Sequence, residues 1–201
     1  MRLGVLGGTF DPVHYGHLMA AEAARCMLRL DRVLFAPAAS PPHKLNNSIS
    51  AIEHRLAMLS LAIQENPAFS ISFVDIKRPE PQYSVDTVRL LREEWGTDAD
   101  STHFIIGADS LVQMLTWHQP VVLIDLCRLA VVPRPGYQPD MLELERALPG
   151  VSQRVDRVDM PAVGISATDV RRRIRMGMSV RYLTPDSVAG YINDHQLFLQ
   201  G

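Results

Sequence analysis

The stretch Leu3–His17 reads Leu-Gly-Val-Leu-Gly-Gly-Thr-Phe-Asp-Pro-Val-His-Tyr-Gly-His and decides how the rest of the chain is interpreted. Its first four residues form a short apolar run that predicts a buried first β-strand. An Ala-rich periodic segment, Leu18–Leu30, follows and predicts an α-helix. The residues in between therefore predict a glycine-containing turn from a strand to a helix.

Such a turn is a natural place to bind an anion. In an open α/β sheet it presents backbone N–H groups and the positive end of a helix dipole to a phosphate. Gly7 and Gly8 carry no side chain that would keep a ligand away. We therefore predict an anion-binding turn that follows the first strand.

Two histidines, His14 and His17, stand at the expected entrance of the helix, with Gly16 between them. If His17 lies in the first helical turn, both imidazoles can point at the bound anion. An imidazole titrates near neutrality and can donate a hydrogen bond to a phosphoryl oxygen whose charge grows during a reaction. Two alternatives stay open: a glycine-rich turn with two surface histidines, and a zinc site, for which no Cys or Glu lies nearby at ligand spacing.

Composition excludes several classes of protein. A chain of 201 residues with 47% hydrophobic content can bury one α/β core, and we predict a single domain over residues 1–201. The net charge of −2 makes a nucleic-acid partner unexpected. The chain has two cysteines, too few for a disulfide framework, and no signal-peptide pattern, so we expect a reduced cytoplasmic setting. It has no apolar run of about 18 residues, so we expect no membrane partner.

Strand and helix signals alternate along the chain. Strands are predicted at Arg32–Pro37, Phe69–Val74, His103–Ile106, Arg128–Pro133 and Arg154–Met160. Helices are predicted from a Ser50–Glu53 capping box to about Gln64, over Ser84–Trp95 and Asp140–Leu148, from Ile165 onward, and from a Thr184 cap to about Asp194. This alternation predicts a Rossmann-like, doubly wound α/β fold, with a mostly parallel sheet and helices on both faces.

Four unusual segments each follow a predicted strand. They are Gly7–His17, Pro41–Lys44, Gly107–Ser110 and Arg134–Gly136. Because the carboxyl ends of parallel strands share one edge of the sheet, ligands bind beyond that edge where the strand order reverses. We therefore expect these segments to meet at one site.

The segment Ile165–Arg171 adds a second helix N-terminus. Ser166 is a natural N-cap, with Asp169 three residues later, so a capped basic surface helix is one interpretation. The other is that this N-terminus, with the hydroxyls of Ser166 and Thr168, binds a phosphate tail. Arg171 would add a charge-assisted hydrogen-bond fork to the phosphate.

The expected site has no pair of carboxylates that suggests a general base, and no Ser–His or Cys–His pair is apparent. A phosphate monoester is already an anionic nucleophile near neutral pH, because its second pKa is about 6. Positioning and charge neutralisation are then the main requirements. The residues therefore favour a group transfer in which an anionic phosphate is itself the nucleophile and attacks in line.

The Gly-Gly-Thr-Phe-Asp-Pro-Val-His-Tyr-Gly-His stretch resembles the His-x-Gly-His signature of the nucleotidyltransferase superfamily. Ile-Ser-Ala-Thr-Asp-Val-Arg is similar to its Ile-Ser-x-Thr-x-x-Arg motif. Three further motifs resemble the bacterial nicotinate mononucleotide adenylyltransferases: Pro-Pro-His-Lys, Gly-Ala-Asp-Ser-Leu with Trp117 downstream, and Arg-Pro-Gly-Tyr. The resemblance extends from Leu3 to the Thr184–Asp194 segment.

The resemblance implies adenylyl transfer from ATP to nicotinate mononucleotide, in a monomer or small homo-oligomer. The mononucleotide phosphate is then expected to attack the α-phosphorus of ATP directly and in line, with Mg²⁺ held mainly by the triphosphate. The catalytic residues are expected to be His14, His17, Lys44 and Arg171. The residues expected to bind ATP are Gly7, Gly8, Thr9, Phe10, Gly107, Asp109, Ile165, Ser166 and Thr168. No side chain of the protein is expected to bind a metal ion. Thr87, with nearby backbone N–H groups, is implied to bind the pyridine carboxylate, and Trp117 to stack on the ring. Arg134 is expected to line the pocket. For Thr87 and Trp117, purely structural roles remain the alternative.

Three other functions stay open. A related adenylyltransferase that acts on phosphopantetheine would share the first and last motifs. A non-catalytic nucleotide-binding module is the second. A Rossmann dehydrogenase is the third, although the Gly-x-Gly-x-x-Gly fingerprint lacks its third glycine here.

Overall fold

The apolar runs of the sequence form a parallel β-sheet in the computed structural model, which describes residues 1–39 and 49–199. Its strands are β1 (Leu3–Gly8), β2 (Arg32–Pro37), β3 (Phe69–Ile71), β4 (Thr102–Gly107), β5 (Arg128–Val132) and β6 (Val155–Arg157). The strand order is β3-β2-β1-β4-β5-β6, and each neighbouring pair runs parallel. The predicted strands are thus present, although β3 and β6 are shorter than expected.

Helices connect the strands. They are α1 (Tyr15–Met27), α2 (Ile52–Ile63), α3 (Val74–Lys77), α4 (Ser84–Trp95), α5 (Ala108–Val112), α6 (Pro120–Leu126), α7 (Met141–Ala147), α8 (Val151–Arg154), α9 (Ala167–Arg175) and α10 (Asp186–Asp194). A short 3₁₀ turn, Met114–Thr116, follows α5. Within the described residues, no helix is long and apolar enough to cross a membrane.

Alternate residues of each strand pack on opposite faces of the sheet, as the period of a strand requires. Val5 of β1 and Phe104 of β4 face a core formed with α4, α5, α6, α7 and α8. Leu6 of β1 and Ile105 of β4 face a second core formed with α1, α2 and α10. Helices therefore cover both faces, and the doubly wound α/β prediction is confirmed.

Three helix starts differ from the prediction. Helix α1 begins at Tyr15, three residues before Leu18, so that His17 does lie in the first turn. The predicted Ser50 capping box is wrong: α2 begins at Ile52 after Ala51, and the Ser50 N–H donates to the Asp11 carboxylate instead (3.3 Å). Thr184 is not an N-cap either, since its hydroxyl donates to the Val13 carbonyl (2.8 Å) and α10 begins at Asp186.

The strand order reverses at β1. The chain moves outward from β1 to β2 and β3, then returns to place β4 on the other side of β1. Gly8, at the end of β1, pairs with Pro37 at the end of β2, while Leu3–Leu6 of β1 pair with β4 on the other side. The turn after β1 is thus at the topological switch point, where open sheets of this kind bind ligands.

Candidate active site

The turn after β1 is held by packing as well as by its glycines. A Cβ atom on Gly8 would come within 3.0 Å of the Phe10 ring, so the glycine gives room to that ring. Phe10 has a left-handed backbone (φ 51°) and is 1% exposed, with its ring 5.0 Å from the His17 ring and 5.7 Å from that of Phe35. The expectation that Phe10 contacts the nucleotide is therefore corrected for its side chain, which lies in the core and supports His17.

The two histidines come together as predicted. Their rings stack with centroids 3.7 Å apart and planes inclined by 20°. The Nδ1 atom of His17 accepts from the backbone N–H of His14 (3.3 Å), so the neutral His17 ring carries its proton on Nε2 and donates from there. One histidine is thereby oriented by the backbone of the other.

His14 is buried and neutral at physiological pH. Burial, and to a lesser extent the positive charge of Arg134, lower its pKa from 6.5 to about 4. Within the described residues, its Nδ1 atom has no hydrogen-bond partner. The sequence-based expectation of an imidazole that titrates near neutrality is therefore wrong for His14, although a neutral ring still donates one hydrogen bond.

Helix α9 begins at the same edge of the sheet. The Ser166 hydroxyl accepts from the Asp169 N–H (3.1 Å), which confirms the N-cap. Arg171 donates from Nη1 to the backbone carbonyl of Asp11 (2.5 Å), so it reaches the turn after β1. Arg172 and Arg173 instead pair with Asp169.

Arg134 joins the histidines to α9. Its Nη1 donates to the carbonyl of Ile165 (3.1 Å), immediately before the Ser166 cap, and its charge acts on His14. The structure thus brings His14, His17, Arg134 and Arg171 to one edge of the sheet. The positive charge of Arg134 thus lies close to His14, where a bound phosphate would need a cation.

The turn after β4 supplies the opposite wall of the switch point. Gly107 ends β4, and the half-buried Asp109 lies in the first turn of α5, which begins at Ala108. The Asp109 carboxylate lies against Gly107, where a Cβ atom would collide with it. The exposed Thr168 sits in the first turn of α9.

The predicted carboxylate ligand Thr87 is buried and already engaged. Its hydroxyl is 2.9 Å from the carboxylate oxygens of Asp75, and it accepts from Arg78 (3.2 Å). Arg78 also pairs with Asp75 (2.9 Å). The role implied for the Thr87 side chain is therefore corrected: it ties α4 to α3, and a substrate contact there is left to backbone N–H groups at the start of α4.

Two aromatic groups lie beyond that helix start. Trp117 is half-buried, and its ring meets the edge of Phe104 at 6.2 Å between centroids. Tyr83, which immediately precedes α4, stacks on His118 at 4.1 Å. Trp117 thus keeps part of its indole exposed, which a stacking role requires, and the stacked His118 had no signal in the sequence.

Two expectations concern groups that this geometry does not test. Lys44, with the segment Pro41–Lys44, lies outside the described residues. Among the described residues, no three His, Cys, Asp or Glu side chains lie close enough together to hold a metal ion.

Sequence reasoning missed Arg55, a buried arginine on α2 that donates to four backbone carbonyls around the turn after β1. One signal was present: Arg55 shares the helical spacing of Met58, Leu59 and Ile63, which form the buried face of α2. A charged residue in an apolar stripe is either paired or functional.

A parallel sheet of this order, with a glycine turn, two histidines and two arginines at its switch point, defines the chain as a Rossmann-like nucleotidyltransferase. A family model described as cytidylyltransferase-like matches residues 5–173. The chain belongs to this family.

Relatives and solved structures agree with that assignment. A probable nicotinate-nucleotide adenylyltransferase of Thermomicrobium roseum is 47% identical, over 98% of this chain and 91% of the relative. A protein of the same name from Roseiflexus sp. is 42% identical, over 98% and 97%. The structure of Plasmodium falciparum nicotinic acid mononucleotide adenylyltransferase complexed with APC superposes with a TM-score of 0.78 at 16% identity, covering 98% of both chains. The same fold is seen in the P. falciparum enzyme complexed with NaAD, also at a TM-score of 0.78 and 16% identity, covering 98% of this chain and 96% of that one.

Proposed function

We propose that this chain transfers the adenylyl group of ATP to nicotinate mononucleotide, giving nicotinate adenine dinucleotide and pyrophosphate. The observation that carries the proposal is the convergence of His14, His17 and Arg171 on the turn after β1. The relatives named nicotinate-nucleotide adenylyltransferase, 38–47% identical over nearly the whole chain, support the choice of substrates.

The proposed transfer requires groups that stabilise the phosphoryl charge, and it requires no general base. An oxygen of the mononucleotide phosphate attacks the α-phosphorus of Mg·ATP in line, the bond from the α-phosphorus to the bridging oxygen breaks, and its electron pair leaves with pyrophosphate. The N–H groups of His14 and His17 stabilise the α-phosphoryl oxygens as their charge grows. No proton has to be removed from the nucleophile, because the phosphate is already an anion.

The leaving pyrophosphate is assigned to α9. The first-turn N–H groups of this helix favour an anion, Thr168 is exposed beside them, and Arg171 has further N–H groups besides the one bound to Asp11. Lys44 is proposed as an additional cation on this side. Mg²⁺ arrives with ATP as part of the substrate.

The acceptor is assigned to the start of α4. First-turn N–H groups of a helix lack intrahelical acceptors and favour a negative charge, so the pyridine carboxylate is preferred over an amide there. Arg78 offsets the nearby carboxylates, since it pairs with Asp75 at 2.9 Å and Asp86 at 3.8 Å. Trp117 would stack on the flat, electron-poor ring.

A product assay tests the proposal. The purified chain is supplied with Mg·ATP and, in separate reactions, nicotinate mononucleotide, nicotinamide mononucleotide or phosphopantetheine, and both pyrophosphate and the adenylylated product are measured. We expect nicotinate mononucleotide to give the highest kcat/KM. Faster reaction with phosphopantetheine would replace the proposed acceptor, and ATP binding without pyrophosphate release from any acceptor would indicate a non-catalytic nucleotide-binding module.

Stereochemistry tests the single displacement separately. With ATP made chiral by sulfur at the α-phosphorus, direct attack inverts the configuration in the product. Retention would require a covalent intermediate and would contradict the mechanism while leaving the reaction itself intact. We also propose that the protein acts in the cytoplasm, where its free thiols Cys26 and Cys127 remain reduced.

A further inference from the structure

Arg55 is buried to an extent that is unusual for an arginine. It is 2% exposed, and among the described residues the acceptors of its guanidinium are all backbone carbonyls. Nε donates to Ser50 (3.1 Å), Nη1 to Thr9 (3.0 Å) and Ala38 (2.7 Å), and Nη2 to Ala39 (2.9 Å). Four hydrogen bonds thus converge on one side chain from three separate parts of the chain.

The positive charge of Arg55 is costly to bury. Within the described residues, no carboxylate lies within ion-pair distance of Arg55. Burial therefore lowers the pKa of Arg55, although the more distant charge of Asp11 opposes this effect. A buried charge costs several kcal/mol, and the four hydrogen bonds to backbone carbonyls offset this cost. Because these carbonyls belong to separate segments, the arginine fixes the positions of those segments relative to one another.

The acceptors of Arg55 surround the candidate active site. Thr9 belongs to the turn after β1, Ala38 and Ala39 follow β2, and Ser50 precedes α2. The Ala38 N–H also donates to the carbonyl of Gly8 (3.0 Å), which ties the ends of β1 and β2 together.

The same contacts continue to the opposite side of the turn. The N–H of Ser50 donates to the Asp11 carboxylate (3.3 Å), and the backbone carbonyl of Asp11 accepts from Arg171. Two arginines therefore bind the backbone of residues 9–11: Arg55 from α2 donates to Thr9, and Arg171 from α9 donates to Asp11. The proposed mechanism already uses Arg171, whereas Arg55 does not reach the reacting atoms.

We infer that Arg55 is a positioning residue for adenylyl transfer: by fixing Thr9 relative to Ala38, Ala39 and Ser50, it holds the turn after β1 so that His14 and His17 meet the α-phosphoryl group. This inference rests on the proposed function for its kinetic consequence. The structural part of the inference, that Arg55 fixes the position of the two histidines, does not depend on the proposed function, because the stacked histidines directly follow the turn. A lysine cannot substitute, because three tetrahedral donors do not span four carbonyls set around a planar fork.

Two variants and one matched control test the inference. Arg55→Lys keeps the charge, and Arg55→Met keeps the approximate volume. Ile63→Ala, in the last turn of the same helix, removes apolar contacts worth about 2–5 kcal/mol without touching the turn. All three are compared with the parent protein at a temperature at which each is folded.

We expect kcat to fall by about 10- to 100-fold in both Arg55 variants, with a smaller change in KM for ATP. The titration midpoint of His14, followed by its imidazole NMR signals, should rise from its low value towards 6.5, because a loosened turn admits water. Ile63→Ala should leave kcat and the His14 midpoint unchanged. The NMR measurement requires no activity, so it decides the role of Arg55 even if the protein fails to transfer adenylyl groups.

The inference is overturned if the Arg55 variants match Ile63→Ala in kcat and in the His14 midpoint. It is also overturned if neither variant folds, since Arg55 would then be a general stabilising residue.

Discussion

Gly16 illustrates how one missing side chain shapes the candidate site. A Cβ atom at this position would lie 3.0 Å from Nδ1 of His14, closer than ordinary van der Waals contact. Gly16 is the second residue of α1, where alanine would otherwise be favourable. The His-x-Gly-His pattern thus contains a glycine because the imidazole packs against the helix backbone.

Gly16→Ala should separate stability from activity. We expect the free energy of unfolding to change by less than about 1 kcal/mol, because better helix propensity offsets the crowding. The displaced His14 ring should lower kcat by about tenfold or more. Gly190→Ala is the matched control, since Gly190 lies in α10 with nothing within 4 Å of the added Cβ; it should leave kcat unchanged. Equal kinetics for the two variants would mean that the His14 position is not critical.

The buried His14 also makes a prediction about pH. Its pKa is about 4 in the folded protein and about 6.5 when exposed, so the unfolded chain binds the proton more readily. The stability due to this difference is fully present above pH 6.5 and is lost as the pH falls towards 4, for a total of about 3 kcal/mol. Urea unfolding of the parent and of His14→Gln at pH 7 and pH 4 measures it. Between pH 7 and pH 4, the free energy of unfolding of the variant should fall by about 3 kcal/mol less than that of the parent. Equal losses in the two proteins would show that His14 is not buried as described.

At the level of elements, sequence patterns located those helices whose signals are local. Helix α4 spans Ser84–Trp95 as predicted, because an amphipathic pattern ends at Gly96 in a left-handed conformation. Helix α3 was not predicted, because four residues are too few for periodicity to register. Helix α6 was also not predicted: it has no side-chain N-cap, whereas α7, of the same length, follows the Asp140 cap and was predicted. Thr184 had the composition of a cap but donates to Val13, 171 residues away, and no local pattern contains that contact.

The same distinction applies to the site. His14, His17, Ser166 and Arg171 belong to motifs. The parallel-sheet rule predicted the position of the two histidines, and the helix N-terminus with its motif predicted Ser166 and Arg171; the structure brings both groups to one edge. Arg55 was missed because its acceptors are backbone carbonyls, which any sequence supplies equally. Phe10 and Thr87 were assigned to substrate, but their side chains are committed to neighbours distant in the sequence.

The N-cap of α9 allows its two possible roles to be separated. Ser166→Ala removes the acceptor for the Asp169 N–H and should cost about 1 kcal/mol of stability. Ser166→Asp keeps a capping oxygen but adds a negative charge where the pyrophosphate is proposed to bind. We expect thermal unfolding of Ser166→Asp to match the parent, with KM for ATP raised about tenfold or more.

Asp140→Ala is the control for a lost cap, because Asp140 caps α7 by accepting from Leu142 and Glu143. It should lose a similar amount of stability with unchanged kinetics. An unchanged KM in Ser166→Asp would show that the N-terminus of α9 does not face the phosphates.

In the whole molecule, the two edges of the sheet carry different sets of polar residues. The carboxyl edge holds the groups assigned to chemistry, whereas the amino edge carries a separate polar network. There Arg128, at the start of β5, pairs with Asp156 through two hydrogen bonds of 2.7 Å, and the fully buried His103 lies 3.5 Å from the same carboxylate. Arg2 reaches His103 from the start of β1 (3.4 Å). These contacts join β1, β4, β5 and β6 at the edge away from the turn after β1.

Asp156→Asn tests this division. The change weakens a largely covered ion pair, and we expect a loss of about 1–2 kcal/mol in the free energy of unfolding. Because the network lies across the sheet from His14 and His17, kcat and KM should stay within about twofold wherever the variant is folded. Asp100→Asn is the matched control: Asp100 also pairs with an arginine, Arg154, but its side chain is 79% exposed, so its loss should cost well under 1 kcal/mol. If Asp156→Asn instead lowered kcat tenfold in the folded state, the amino edge would be coupled to the site through the strands, and the two edges would not act independently.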